Sequence, residues 1–229
     1  MRCPRCWQSH EVMVAVCSCG FQFDQVGEDE LDGWFAEVRG VLEKAYVAAE
    51  TPWQGSGKSG TFEEWTRLRV PNIGPVDREG RYLDIGCANG YLLACLVAWG
   101  MLKGVRIVPY GLDYSERLVG LARERLPDFR ENFFVGNGWD WVGEERFDYV
   151  RTELDYVPKN YRRAYVERLA EKLVAPGGKL LISQYRSRRE DLGVGWVEEE
   201  LVAWGWRVME RYEGYSEAGL ALCRVVVVG

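Results

Sequence analysis

Three features are scarce in this sequence, and each scarcity excludes a class of protein or site. His10 is the only histidine, so almost the whole chain must work without an imidazole base. The longest apolar stretch, residues 91–102, is shorter than the ~18 residues that a membrane-spanning helix requires. The lysines and arginines form no basic stripe, and the net charge of −6 with a pI near 5.1 argues against a broad nucleic-acid footprint. We therefore expect a soluble globular protein that does not enter a membrane.

The length and the N-terminus indicate one main domain with a small appendage. A chain of 229 residues can bury one good core and little more. The opening residues, MRCPRC, lack the apolar centre of a signal peptide, so a cytoplasmic location is expected. We predict a zinc ribbon at residues 1–27, a helical cap and flap at residues 28–79, and a cofactor-binding domain at residues 80–229. The sequence makes no prediction about the oligomeric state.

Residues 81–85 predict a short buried strand, and the stretch LDIGCANGYLL, residues 83–93, continues it into a turn of small residues and a helix. Such a unit lets backbone N–H groups and a helix N-terminus approach a nucleotide-like ligand closely. The turn reads G-x-A-x-G, and Ala88 stands where a dinucleotide site has its second glycine, which disfavours NAD. Asp84 would set a carboxylate near two phosphates, so a cationic ligand suits the turn better. The turn residues predicted to bind the cofactor are Asp84, Gly86, Cys87, Ala88, Asn89, Gly90 and Tyr91.

A second apolar strand, residues 107–112, ends at Asp113 and is followed by Tyr114. An acid at this position is placed to accept hydrogen bonds from both ribose hydroxyls in nucleoside-binding α/β folds. Further predicted strands lie at residues 133–135, 147–150, 179–184, 206–212 and 220–228, with helices at residues 160–174 and 194–204. The residues that follow the third and fourth strands, Asn137, Gly138, Trp139 and Arg151, complete the predicted cofactor site.

Together these motifs resemble the class I S-adenosylmethionine-dependent methyltransferases. That family has an acidic residue before G-x-G-x-G, tolerates alanine at the middle glycine, and often carries a phrase like APGGKLLIS, residues 175–183 here. The resemblance covers about residues 80–229. It implies an α/β fold with a seven-stranded Rossmann-like sheet whose last strand is antiparallel. It also implies S-adenosylmethionine as the cofactor.

The resemblance also indicates where an acceptor would lie. A methyl group on a sulfonium is already activated, so the protein chiefly has to align the reacting atoms. If the acceptor must lose a proton, the candidate catalytic residues are Glu153, Asp155 and Tyr156, where the family places acceptor-facing side chains. The N/D-P-P-Y tetrad of many amino-methylating relatives is absent, which weakens an assignment to adenine or amide nitrogen.

Two segments before residue 80 carry further predictions. Residues 31–49 repeat apolar side chains at intervals of three and four, which predicts a helix with one apolar face, and we interpret it as a cap beside the cofactor pocket. The loop at residues 51–60 is interpreted as a flap with Trp53 or Lys58 as substrate contacts. Residues 61–64 have the capping-box pattern of a short helix.

Four cysteines near the N-terminus have the spacing of a metal site. Cys3-x-x-Cys6 and Cys17-x-Cys19 can each form a tight knuckle, and four thiolates satisfy tetrahedral Zn²⁺. The second pair is one residue shorter than the usual C-x-x-C. This segment resembles the zinc module of the large-subunit rRNA guanine N1-methyltransferases, whose Phe-Asp is matched by residues 23–24. Cys19 stands where that family has a histidine.

Three functions remain open at this stage. The first is a methyltransferase acting on an O or N atom of a small molecule, which the acidic balance favours. The second is an rRNA base methyltransferase, so RNA is a possible partner. The third is a non-catalytic adaptor that acts through its zinc ribbon, and Asp84 and Asp113 argue against it. Arg186, Arg188 and Arg189 form a small basic cluster that we interpret as a solvated loop.

Overall fold

The computed structural model describes residues 25–56, 60–186 and 195–229. Within these ranges the α-helices are α1 (Leu31–Ala48), α2 (Phe62–Arg69), α3 (Tyr91–Lys103), α4 (Glu116–Arg125), α5 (Arg162–Lys172) and α6 (Val197–Ala203). The strands are β1 (Gly80–Ile85), β2 (Ile107–Asp113), β3 (Phe133–Val135), β4 (Phe147–Thr152), β5 (Val174–Tyr185), β6 (Val208–Tyr215) and β7 (Ala221–Val228). The cysteines of the predicted zinc ribbon, Cys3, Cys6, Cys17 and Cys19, lie outside the described residues, as do Lys58, Arg188 and Arg189.

The strands form one mixed sheet in the order β3-β2-β1-β4-β5-β7-β6. The pairs β1–β2, β1–β4, β2–β3 and β4–β5 are parallel. β7 lies between β5 and β6 and runs antiparallel to both. The predicted α/β fold, with seven strands and the last one antiparallel, is therefore confirmed.

Helices cover both faces of the sheet. Successive residues of a strand point to opposite faces, so each strand contributes side chains to two cores. In β1, Leu83 and Ile85 pack into the core that includes residues of α5 and α6. The neighbouring Tyr82 packs into the core formed with α2, α3 and α4. Strands that are buried on both faces are read in sequence as nearly continuous apolar runs, which is why the central strands were predictable.

The junction between α5 and β5 was predicted wrongly. α5 ends at Lys172 and β5 begins at Val174, whereas the sequence pattern predicted a helix to residue 174 and a strand from residue 179. The register of the β4–β5 pair shifts after Phe147, and Gly177 has a φ of +71° in the irregular part. A proline and two glycines are typical of a loop, but here they form a bulge inside a longer strand.

The first two helices agree with their predicted positions. The apolar face of α1 is only partly covered, since Leu31 and Phe35 are buried while Val41 and Leu42 are exposed. α2 begins after Thr61, whose Oγ1 accepts a hydrogen bond from the backbone N–H of Glu64 at 3.2 Å, so the Thr61 half of the predicted capping box is confirmed. Among the helices in the described ranges, none is long and apolar enough to cross a membrane.

Arg186 does not behave as a solvated residue. Its side chain is buried, and its guanidinium lies 3.7 Å from the ring centroid of Trp196. It also donates a hydrogen bond to the carbonyl oxygen of Gly195 at 2.6 Å. Arg186 therefore anchors the approach to α6, and the prediction of a solvated loop was wrong at this position.

Candidate functional site

A cavity of about 420 Å³ opens at the carboxyl ends of β1, β2, β4 and β5. Ligands of parallel α/β sheets bind at this edge, where the connections on the two sides of the first strand diverge. α1 closes one side of the cavity with Phe35, Val38 and Tyr46. Glu43 on the same helix accepts a hydrogen bond from Ser115 Oγ at 2.6 Å, which ties α1 to the start of α4. The volume is that of a small-molecule site.

The turn after β1 brings its backbone against the cavity. Gly86 has a φ of +74°, and a Cβ atom there would lie 2.5 Å from the ring of Tyr156, so only glycine fits. Ala88 is also left-handed, with a φ of +46°, at the position where the family motif has glycine. Gly86, Cys87, Ala88, Asn89 and Tyr91 line the cavity as expected. Gly90 does not: its φ is +70°, and a Cβ there would lie 2.8 Å from that of Ala122.

Asp113, at the end of β2, lines the cavity and also holds two neighbouring backbone segments in place. One carboxylate oxygen accepts the backbone N–H of Ala88 at 2.8 Å, and the other accepts that of Ser115 at 2.8 Å. Burial raises the pKa of Asp113 above its ordinary value, although these two hydrogen bonds oppose the shift. Each oxygen retains a second lone pair, so the carboxylate can still accept hydrogen bonds from a ligand.

Arg151, at the end of β4, is the centre of a buried polar network. Its Nη1 lies 3.1 Å from Asp84 Oδ1, and both side chains are only 2% exposed. Its Nη2 pairs with Glu153, and its Nε donates to Ser183 Oγ at 3.1 Å. Burial raises the pKa of Asp84 to about 6, while the guanidinium opposes this shift by favouring the ionised carboxylate. Asp84 was expected to face a cationic ligand, but Arg151 already supplies the positive charge beside it.

The structure brings two of the three candidate catalytic residues into the cavity. Glu153 and Tyr156 line it, and the Tyr156 hydroxyl donates a hydrogen bond to Glu153 Oε1 at 3.1 Å. Burial raises the pKa of Tyr156 well above its usual range, so this hydroxyl stays protonated at neutral pH. Asp155 points elsewhere: its side chain is 74% exposed and pairs with Arg162. The geometry gives Asp155 no contact with the cavity.

The remaining predicted cofactor residues lie on the β2 and β3 side. Tyr114, Asn137, Gly138 and Trp139 all line the cavity. The side-chain oxygen of Asn137 accepts the backbone N–H of Trp139 at 3.0 Å, which holds the loop in shape. These residues and Asp113 form one half of the cavity, and Glu153 and Tyr156 belong to the other half.

Several cavity residues were not identified from the sequence. Tyr46 and Arg69 come from α1 and α2, and Tyr185 is the last residue of β5. Tyr46 belongs to the apolar face of α1, and that face was the only feature of the sequence that could have indicated a cavity residue here. Arg69 and Tyr185 have no motif around them, and only packing brings them together. Trp53, a predicted substrate contact, instead packs against the rings of Phe62 and Tyr91.

No group of histidine, cysteine or acidic side chains that could hold a metal ion occurs within residues 25–56, 60–186 and 195–229. The predicted zinc ligands precede the first of these ranges. Of the other cysteines, Cys87 and Cys223 are buried and Cys95 is partly buried.

The fold and the cavity together define an α/β protein with a cavity of small-molecule size at the carboxyl edge of its sheet. A family model described as "Methyltransferase domain" matches residues 59–221. The chain therefore belongs to this methyltransferase family, and the predicted enzyme class is confirmed. No curated protein matches the chain significantly.

Solved structures share the fold at low sequence identity. The DhpI–SAH complex is 20% identical with a TM-score of 0.57, over 89% of this chain and 99% of that one. A SAM-dependent methyltransferase from Geobacter sulfurreducens, solved with S-adenosyl-L-homocysteine, is 17% identical with a TM-score of 0.52, over 77% and 74% of the two chains. The glycopeptide N-methyltransferase MtfA is 20% identical with a TM-score of 0.52, over 72% and 88%.

Proposed function

We propose that this chain transfers a methyl group from S-adenosylmethionine to an O or N atom of a small molecule. The observation that carries the proposal is that one cavity is lined both by the turn after β1, with left-handed Gly86 and Ala88, and by the carboxylate of Asp113. The family match and the similar structures that hold S-adenosyl-L-homocysteine support the same donor.

The residues present fit this donor. Gly86, Cys87, Ala88 and Asn89 line the cavity, so a ligand bound there can approach the backbone of the turn. We assign Asp113 to the ribose hydroxyls, since its oxygens keep free lone pairs and line the cavity. Tyr91, Tyr114 and Trp139 supply aromatic surface, which is favourable beside a sulfonium cation. When bound, S-adenosylmethionine supplies a methyl group that its sulfonium sulfur has already activated.

On the acceptor side, the protein has to position a nucleophile and dispose of a proton. An acceptor hydroxyl or ammonium group loses a proton when it is methylated. We assign Glu153 to take that proton, because it is the cavity carboxylate beyond the turn and beside Tyr156. Tyr156 stays protonated and orients Glu153 through its hydrogen bond. Asp155 is not part of this assignment.

The size and shape of the cavity favour a small acceptor. It is bounded by α1 and by aromatic side chains, and it lies in a protein with a net charge of −6. One similar structure is that of a glycopeptide N-methyltransferase, a precedent for an acceptor that is not a nucleic acid. RNA is the alternative acceptor, and the net charge of −6 argues against it.

A radiolabelled methyl-transfer assay tests the proposal. Purified protein is incubated with methyl-labelled S-adenosylmethionine and, separately, with total RNA, a protein extract and a small-metabolite fraction. We expect label in the metabolite fraction alone, and less of it with Glu153→Gln. Label in RNA would support the rRNA alternative. Failure of S-adenosylhomocysteine to bind in titration calorimetry would refute the donor.

We further propose that Cys3, Cys6, Cys17 and Cys19 bind one Zn²⁺ ion. Their spacing in the sequence supports the proposal, since four thiolates complete a tetrahedral shell. We expect about one zinc per chain by elemental analysis of protein purified without chelator, and loss of that zinc in Cys6→Ser. Metal-free wild-type protein would contradict this proposal and leave the methyltransferase assignment intact.

A further inference from the structure

Arg69 is a buried cation that pairs with no anion among the described residues. It is the last residue of α2, lines the cavity and is only 6% exposed. Its Nη1 is fully buried and has no hydrogen-bond partner among the described residues. No carboxylate in the described part of the chain forms an ion pair with it, whereas the other buried arginine of the cavity, Arg151, pairs with Asp84 and Glu153. Burying a charge without a partner is costly, so a ligand that supplies the partner is indicated.

The guanidinium is held in one orientation before any ligand arrives. It stacks on the ring of Tyr185 at 3.6 Å and lies 5.8 Å from the ring of Trp65. The side-chain amide of Asn72 donates to the Arg69 carbonyl at 2.8 Å and to the Tyr185 hydroxyl at 2.8 Å. Stacking covers one face of the guanidinium, and its enclosed Nη1 has no hydrogen-bond partner among the described residues, so an acceptor in the plane has to reach it from the cavity that Arg69 lines. That geometry suits a carboxylate, which arginine binds in a bidentate manner.

The position of Arg69 separates it from the ribose end of the cavity. Tyr185 ends β5 and Asp113 ends β2, and β1 and β4 lie between these two strands. Three strand spacings of roughly 4.8 Å set the two ends about 14 Å apart. Arg69 therefore lies on the half of the cavity that holds Glu153, which is the half assigned to the acceptor.

We propose that Arg69 binds a carboxylate group of the methyl acceptor, so that the substrate is a small carboxylic acid with an apolar or aromatic body. The aromatic surroundings of Tyr46, Trp65 and Tyr185 suit such a body. This inference rests on the proposed function, because it takes the other half of the cavity to be occupied by the methyl donor.

The test uses benzoate as the probe and benzamide as its neutral counterpart, both titrated into protein saturated with S-adenosylhomocysteine. We expect wild-type protein to bind benzoate at least tenfold more tightly than benzamide. Arg69→Met should weaken benzoate binding at least tenfold. Arg69→Lys keeps the charge but loses the planar guanidinium, so its affinity for benzoate should lie between those of wild type and Arg69→Met. Arg78→Met is the matched control, since Arg78 also lies over a tyrosine ring, at 5.9 Å from that of Tyr149, but outside the cavity.

Affinity for S-adenosylhomocysteine, measured on the same variants, shows that each is folded and separates the two sources of a carboxylate. We expect it to change less than threefold in Arg69→Met. A tenfold loss would assign the guanidinium to the donor's own carboxylate and overturn the proposal. Equal benzoate binding by wild type and Arg69→Met, or none by wild type, would also overturn it. If wild-type protein bound no S-adenosylhomocysteine, the proposed function itself would fail, and this inference with it.

Discussion

Replacing Asp113 by alanine is the sharpest test of the cofactor site. The side chain accepts the backbone N–H groups of Ala88 and Ser115, each at 2.8 Å, and it faces the cavity. Alanine removes the acceptor that we assign to the ribose, and it also releases the turn after β1. Both changes act on the same ligand, so we expect binding of S-adenosylhomocysteine to weaken.

The expected magnitude follows from the charge on the acceptor. A hydrogen bond to a charged group contributes roughly 1.5–3 kcal/mol, and about 1.4 kcal/mol corresponds to a factor of ten in Kd. Loss of one ribose hydrogen bond therefore predicts a Kd that rises roughly 10- to 150-fold. Asp113 is buried and its pKa is raised, so removing it also relieves a desolvation cost. That relief offsets part of the loss in folding stability without restoring the ligand contact.

Titration calorimetry with S-adenosylhomocysteine measures this effect, and Asp148→Ala is the matched control. Asp148 also accepts a backbone N–H group, that of Arg81 at 2.9 Å, but it lies outside the cavity. We expect its removal to leave the Kd within twofold of wild type. Thermal unfolding of each variant checks that it is folded. A folded Asp113→Ala protein with wild-type affinity would refute the ribose assignment and the reasoning from the turn.

Two further predictions test the turn after β1 and the ion pair between Lys179 and Asp77. Gly86→Ala should abolish binding of S-adenosylhomocysteine and lower the Tm, because the new Cβ would meet the Tyr156 ring at 2.5 Å. Gly104→Ala is its control: φ is +80° there, but nothing lies within 4 Å, so only a smaller loss of Tm is expected, and equal losses would contradict the steric argument. Lys179 lies 2.8 Å from Asp77 and lowers its pKa, so their interaction stabilises the fold above pH 3.8 and is lost as the pH falls through the lower folded value. Lys179→Met should therefore flatten the acid side of the stability profile measured by urea unfolding, and an unchanged profile would contradict this account.

Much of the fold could be predicted because local pattern and tertiary environment agree along the central strands. β1 and β2 were predicted to within one residue, since strands buried on both faces carry continuous apolar runs. β3, an edge strand, was predicted with its observed bounds although Val135 at its end is 46% exposed. The junction before β5 was not, because Pro176, Gly177 and Gly178 have the composition of a loop whether the backbone forms a loop or a bulged strand. Pairing with β4 decides between the two, and pairing is a long-range contact.

The candidate site divides in the same way. The cavity residues 86–89 and Asp113 could be predicted from the sequence, because a turn of small residues and an acid at a strand end are set by neighbours along the chain. The pairing of Asp84 with Arg151 depends on register, which places the two residues side by side on β1 and β4. Arg69 depends on packing, because α2 comes from outside the sheet to meet the end of β5. The sequence by itself determined the turn after β1 and the acid at the end of β2, which both line the cavity. Tertiary structure decided that Arg151 is paired with carboxylates while Arg69 has no ion-pair partner in the described part of the chain, since charges that are distant in the sequence interact only after folding brings them together.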